Sequence, residues 1–176
     1  VPGDGGSGQG SISADGRYVA FGSGASNLVP GDDNGKGDVF VRDLWRGRTV
    51  LVSVAYGGGM ADLGAGQPEL SADGRHVAFV SAASNLVPGD TTDQDVFVRD
   101  LVAGRTELVS VGPAGSTEMP ASEPSLSADG RYVAFASAAS NLVTGDTNGS
   151  IDVFVKDRQT GAIARVSVAS DGTERT

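Results

Sequence analysis

Apolar residues along this chain fall in short runs, such as Tyr18-Val19-Ala20-Phe21, Val39-Phe40-Val41 and Val50-Leu51-Val52, fenced by glycine, aspartate or asparagine. Short runs rich in β-branched and aromatic residues and bounded by turn formers predict strands. No segment holds an apolar stripe of helical period over about ten residues, so no helix is expected. The run at Tyr18 is apolar on both faces, as in a strand covered from two sides.

The pattern repeats. Ser13-Ala14-Asp15-Gly16-Arg17-Tyr18-Val19-Ala20-Phe21 returns from Ser71 and from Ser127, with His76 where the other copies have Tyr18 and Tyr132. Ala25-Ser26-Asn27-Leu28-Val29 returns at Ala83 and Ala139, Asp-Val-Phe-Val begins at Asp38, Asp95 and Asp152, and Val-Ser-Val begins at Val52, Val109 and Val166. Each Asp-Val-Phe-Val precedes its Val-Ser-Val by 14 residues, whereas the links between units vary and are glycine-rich. A rigid unit on variable links is a structural module.

Four strands are expected per unit, in the first at residues 11–13, 18–21, 39–42 and 50–54, with Asp-Gly turns and a tight turn at Gly47, Gly104 or Gly161. One array over residues 1–176 then holds units at about 9–56, 66–112 and 122–170, with Phe21, Phe79 and Phe135 equivalent and buried. A solenoid rung is shorter, about 20–30 residues. Units of this length favour the blades of a propeller, which pack radially.

The run from Ser13 to Phe21, followed by Asp-Val-Phe-Val-Arg-Asp at Asp38, resembles the TolB-type repeat, a WD-like propeller repeat reading Ser-Pro-Asp-Gly-Lys, two apolar residues and Ala-Phe. The resemblance covers essentially the whole chain, three times over. It implies an all-β β-propeller, with three four-stranded antiparallel blades per chain, half of a six-bladed ring. It also implies an extracellular or periplasmic protein that offers a funnel mouth to protein partners. Two features depart from the pattern. Ala14, Ala72 and Ala128 stand where proline is usual, and the loop at residues 25–32, with its copies, is longer.

Charge and composition narrow the function. Twenty-two acidic against 13 basic residues give a net charge of −9, which repels a phosphate backbone and an anionic membrane surface, so neither nucleic acid nor membrane is an expected partner. The chain has no cysteine, and no apolar run nears the roughly 18 residues of a membrane span. It opens without a signal peptide and so reads as a mature or excised segment.

The long loops gather hard oxygen donors: Asp32, Asn34 and Asp38; Asp90, Asp93 and Asp95; Asp146, Asn148 and Asp152. Calcium takes such ligands, and the spacing is similar to a shortened form of the calcium loops of integrin-type propellers, without the closing glutamate of an EF-hand. The same residues also build Asx turns that bond their own backbone. Both readings stand at this point.

His76 is the single histidine, at a position that is tyrosine in the other units, so it reads as a packing residue. No Ser-His-Asp arrangement and no Gly-x-Ser-x-Gly elbow is present, and no enzyme is expected. Gly3-Asp4-Gly5-Gly6-Ser7-Gly8 fits a dinucleotide fingerprint by letters but follows no strand, so it reads as a flexible leader. Asn148-Gly149-Ser150 is a formal glycosylation sequon. Trp45 sits in a turn, as a contact for a protein or sugar partner or as local packing.

Three blades leave two apolar end faces, expected to carry residues of the second and third strands such as Val19, Phe21, Val39 and Phe40. The expected function is therefore a non-catalytic scaffold or binding module, completed by self-association, with a homodimer closing a six-bladed ring. The alternatives are an accessory propeller of a hydrolase such as a prolyl-oligopeptidase-like enzyme, or a chain built to self-assemble from like blades.

Overall fold

The computed structural model describes residues 2–90 and 93–172. Its described residues contain no helix and form three four-stranded antiparallel sheets, each a simple meander. Blade 1 comprises β1 (Ser7–Ile12), β2 (Tyr18–Ser23), β3 (Asp38–Asp43) and β4 (Arg48–Leu51). Blade 2 comprises β5 (Ala65–Leu70), β6 (His76–Ser81), β7 (Asp95–Asp100) and β8 (Arg105–Leu108). A small hairpin, β9 (Val111–Gly112) with β10 (Gly115–Ser116), leads to blade 3: β11 (Ala121–Leu126), β12 (Tyr132–Ser137), β13 (Asp152–Asp157) and β14 (Ile163–Arg165).

The Ser-Ala-Asp-Gly run makes the first hairpin turn by side-chain bonding. The Ser13 hydroxyl donates to Asp15 Oδ1 at 2.6 Å and accepts from the Tyr18 amide at 2.9 Å, while Gly16 takes a φ of 71°. Ser71 with Asp73, and Ser127 with Asp129, repeat it. The first strands begin earlier than the apolar pattern suggested, at Ser7 rather than Ser11, because each contains a β-bulge. Its left-handed residue is Gln9, Gln67 or Glu123, so the strand is polar and irregular where alternation was sought. The fourth strand of blade 1 stops at Leu51, short of Val54. Past it, the Ser53 hydroxyl accepts the Val39 amide at 3.1 Å in place of a continued ladder.

Blades join face to face. In each, two phenylalanines stack across the second and third strands, Phe21 on Phe40, Phe79 on Phe97 and Phe135 on Phe154, with centroids 5.7–5.8 Å apart. The aromatic face of blade 2, with Val77 and Leu86, packs against Ala20, Val39, Val41 and Val52 of blade 1. The aromatic face of blade 3 packs likewise against Ala78, Val80, Val96, Val98 and Val109 of blade 2. Phe79 and Phe135 are buried as expected, whereas Phe21 is only half-buried, since none of the described residues forms a blade against it.

Candidate functional site

The residues that repeat in sequence meet in space, and most of their meetings are structural. The last aspartate of each long loop is bonded by the serine of Val-Ser-Val. Ser53 Oγ donates to Asp38 Oδ1 at 2.6 Å and Ser110 Oγ to Asp95 Oδ1 at 2.5 Å, and Ser167 does the same for Asp152. Each serine hydroxyl also accepts the amide of Val39, Val96 or Val153. This latch ties the end of the fourth strand to the start of the third.

The amides of the loops face the wrong way for a metal. Asn34 Nδ2 donates to Asp38 Oδ2 at 3.0 Å and its Oδ1 accepts the Lys36 amide; Asn148 stands in the same way to Asp152 and to Ser150. Asn34 and Asn148 thus form Asx turns, and among the described residues no three acidic or histidine side chains converge on one point. What converges is a pair. In blade 3, Arg165 Nη1 lies 3.0 Å from Asp146 Oδ1 and 3.3 Å from Asp152 Oδ2. In blade 1, Asp32 and Asp38 are both buried, and burial followed by the charge of Asp38 pushes the Asp32 carboxyl up. In blade 2, Asp95 is fully buried, its Oδ2 has no hydrogen bond, and burial pushes it up. Asp90 and Asp93 flank residues 91–92, which lie outside the described residues.

The rest of the long loop clasps the chain ahead of the first strand. The Ser26 amide and hydroxyl donate to Asp4, the Asp4 amide donates to Asn27 Oδ1, and Asn27 Nδ2 donates to the Pro2 carbonyl. Asp62 with Ser84 and Asn85 repeats the clasp, as does Glu118 with Ser140 and Asn141. Asp4 therefore fixes the segment expected to be a loose leader, and a Cβ on Gly5 would meet the Gly24 backbone at 2.5 Å. The recurrence of an acid three residues ahead of each first strand was the signal for this clasp.

A second repeated set crosses between blades at the inner side of the arc. Gln9 Oε1 accepts the Gln67 amide at 2.9 Å, and Gln67 Oε1 accepts the Glu123 amide at 2.8 Å. The Ala14 amide donates to the Ala72 carbonyl and the Ala72 amide to that of Ala128. Tyr18 lies on Gly74, where a Cβ would come within 2.3 Å of its ring, and His76 lies on Gly130 in the same way. His76 is thus a packing residue, with burial and the charge of Arg158 holding its pKa down.

Each of these contacts occurs twice and is left half-made at both ends. Tyr132 is 41% exposed and nothing approaches a Cβ position on Gly16. Val153 and Val166 are 41% and 50% exposed, although their counterparts Val39, Val96, Val52 and Val109 are buried. The end faces were expected to expose Val39 and Phe40, but both are buried: Val39 in the junction with blade 2, Phe40 against Phe21 in blade 1. Trp45 is exposed, with the Arg17 guanidinium 4.9 Å over its ring.

No protein-family profile and no curated protein sequence matches the chain. Solved structures do. TolB from Acinetobacter baumannii aligns at a TM-score of 0.55 and 18% identity, over 90% of this chain and 32% of that one. A putative TolB from Agrobacterium tumefaciens aligns at 0.54 and 16%, over 94% and 49%. The β-propeller domain of the Trilobed protease from Pyrococcus furiosus aligns at 0.54 and 12%, over 91% and 41%. The chain spans less than half of each, and at these identities the likeness shows the fold.

Proposed function

We propose that this chain, whose fold is that of TolB-like β-propellers, is a non-catalytic scaffold and binding module whose blades are completed by a second copy. One observation carries this reading: the two end faces are the two halves of the junction the chain already makes twice. Tyr132 is the ring that lacks its glycine and Gly16 the glycine that lacks its ring, and exposed Val153 and Val166 match the half-covered aromatic face of blade 1. Joined head to tail, two chains give six blades about a two-fold axis, with both new junctions alike. Three chains would give nine, beyond the range of about 4–8 common to propellers.

The non-catalytic part of the reading is supported by His76, which is committed to packing on Gly130. A protein or sugar ligand would meet exposed groups such as Trp45, in an extracellular or periplasmic setting. A second reading rests on the likeness to a protease propeller domain. There the end faces are covered by further blades of a longer polypeptide, as in the accessory propeller of a hydrolase.

Multi-angle light scattering decides the matter for the chain alone. A particle of two chains is expected at micromolar concentration, and Val153→Asp and Val166→Asp should each return it to one chain with its β circular dichroism intact. Both sites are exposed in the single chain, so these variants test the junction more directly than a change at buried Phe40. A monodisperse, soluble wild-type monomer would overturn self-closure.

A further inference from the structure

Blades 1 and 3 treat the same pair of carboxylates differently. In blade 3 the guanidinium of Arg165 touches both Asp146 and Asp152. Register places it there, since Arg165 on β14 lies opposite Phe154 on β13. In blade 1 the residue opposite Phe40 is Leu51. The two aspartates nonetheless keep their places: Asp32 is 8% exposed, like Asp146, and Asp38 is fully buried. Asp38 is held by Ser53 and Asn34. No hydrogen bond or ion pair reaches Asp32 among the described residues, although it is more than nine-tenths buried.

A buried carboxylate with neither donor nor counter-ion, facing a second carboxylate, is costly. Blade 3 removes the same cost with a positive charge.

We propose that blade 1 binds one hard divalent cation of the calcium class between Asp32 and Asp38, at the place Arg165 fills in blade 3. The carboxylate oxygens of Asp32 accept nothing else, and those of Asp38 keep a lone pair beyond the bonds from Ser53 and Asn34. Calcium accepts irregular shells of six to eight oxygens, so loop carbonyls and water complete the set, whereas magnesium demands a near-ideal octahedron. Gly31, next to Asp32, and Leu51 line an open cleft of about 600 Å³, with Arg48 on its wall. Blade 3 binds none. The inference does not depend on how the ring is completed.

The test is titration calorimetry of the metal-stripped full chain with calcium chloride, reading ions bound per chain. Asp32→Asn should lower the stoichiometry by one, and Leu51→Arg, which copies the arrangement of blade 3, should do the same. Arg165→Leu should raise it by one. Leu51→Arg should also melt at a temperature no longer raised by calcium through Asp32, while the wild type shifts upward by mass action. If Asp32→Asn fails to fold, Leu51→Arg and Arg165→Leu still decide. No binding by the wild type, or a stoichiometry unmoved by Leu51→Arg, overturns the proposal. Neither result bears on the mass by which ring closure is judged.

Discussion

Aspartate is used here in opposed environments, and the contrast sets how the protein responds to acid. Asp43, Asp100 and Asp157 close the third strands and each accepts two or three bonds from the arginine of Asp-Gly-Arg, the shortest N···O distance being 2.7 Å for each of Arg17, Arg75 and Arg131. The Arg17 bonds draw the Asp43 carboxyl from 3.8 down to about 2, and Arg75 and Arg131 draw Asp100 and Asp157 lower still. Because these folded values lie below the unfolded one, the stability they contribute is full above about pH 4 and is lost as pH falls toward 2. Asp32 and Asp95 are shifted the other way, chiefly by burial. Their ionised forms cost stability, and protonation as pH falls relieves that cost. Scanning calorimetry without divalent ions should therefore show the melting temperature highest at mildly acid pH and falling between about pH 4 and 2. Asp43→Asn keeps an acceptor for the Trp45 and Arg46 amides but removes the charge, so it should flatten the acid limb by about a third, one of three such pairs. An acid limb unchanged in that variant would remove the arginine pairs as its cause.

At the scale of strands, each blade is closed by one serine rather than by a longer ladder. Ser110 is fully buried between Asp95 and the Val96 amide. Ser110→Ala strands that amide and leaves Asp95 with only Thr117 as donor, so urea denaturation should show a loss of about 1–3 kcal/mol. Ser53→Ala should cost a similar amount by the same measurement. Phe97 lies on the face that joins blades 1 and 2, and Phe97→Ala should cost about 3–5 kcal/mol, because stacked neighbours and two sheets leave little room to collapse. The apolar runs announced the second and third strands, because both faces of those strands are covered. The first strands were read only at their later ends: a bulge at Gln9, Gln67 or Glu123 breaks their alternation, and their partners are amides of the next blade rather than an apolar core.

Across the whole molecule, glycines of one motif separate the finished junctions from the unfinished ones. Gly16, Gly74 and Gly130 share a φ near +70°, which costs a β-carbon about 1 kcal/mol or more in any of them. Only Gly74 and Gly130 also lie under a ring of the preceding blade. Gly74→Ala should thus destabilise a dilute single chain markedly more than Gly16→Ala, as read by chemical denaturation. Gly16→Ala should show its larger effect in sedimentation equilibrium, as weaker pairing, if Tyr132 of the partner seats there. Equal effects on the single chain would mean that the ring contact carries no weight. The sequence alone determined the repeat, its turns, the strands of the blade and the packing role of His76, because turn chemistry and apolar runs are local properties that recur with each copy. It located the acidic loops for the same reason. The fate of each carboxylate was decided only by tertiary structure, since Asp32 and Asp146 look alike in sequence and differ through Leu51 and Arg165, one strand pairing away. Which valines are covered was decided there too, because Val39 and Val153 have the same local sequence and only Val39 has a blade lying on it.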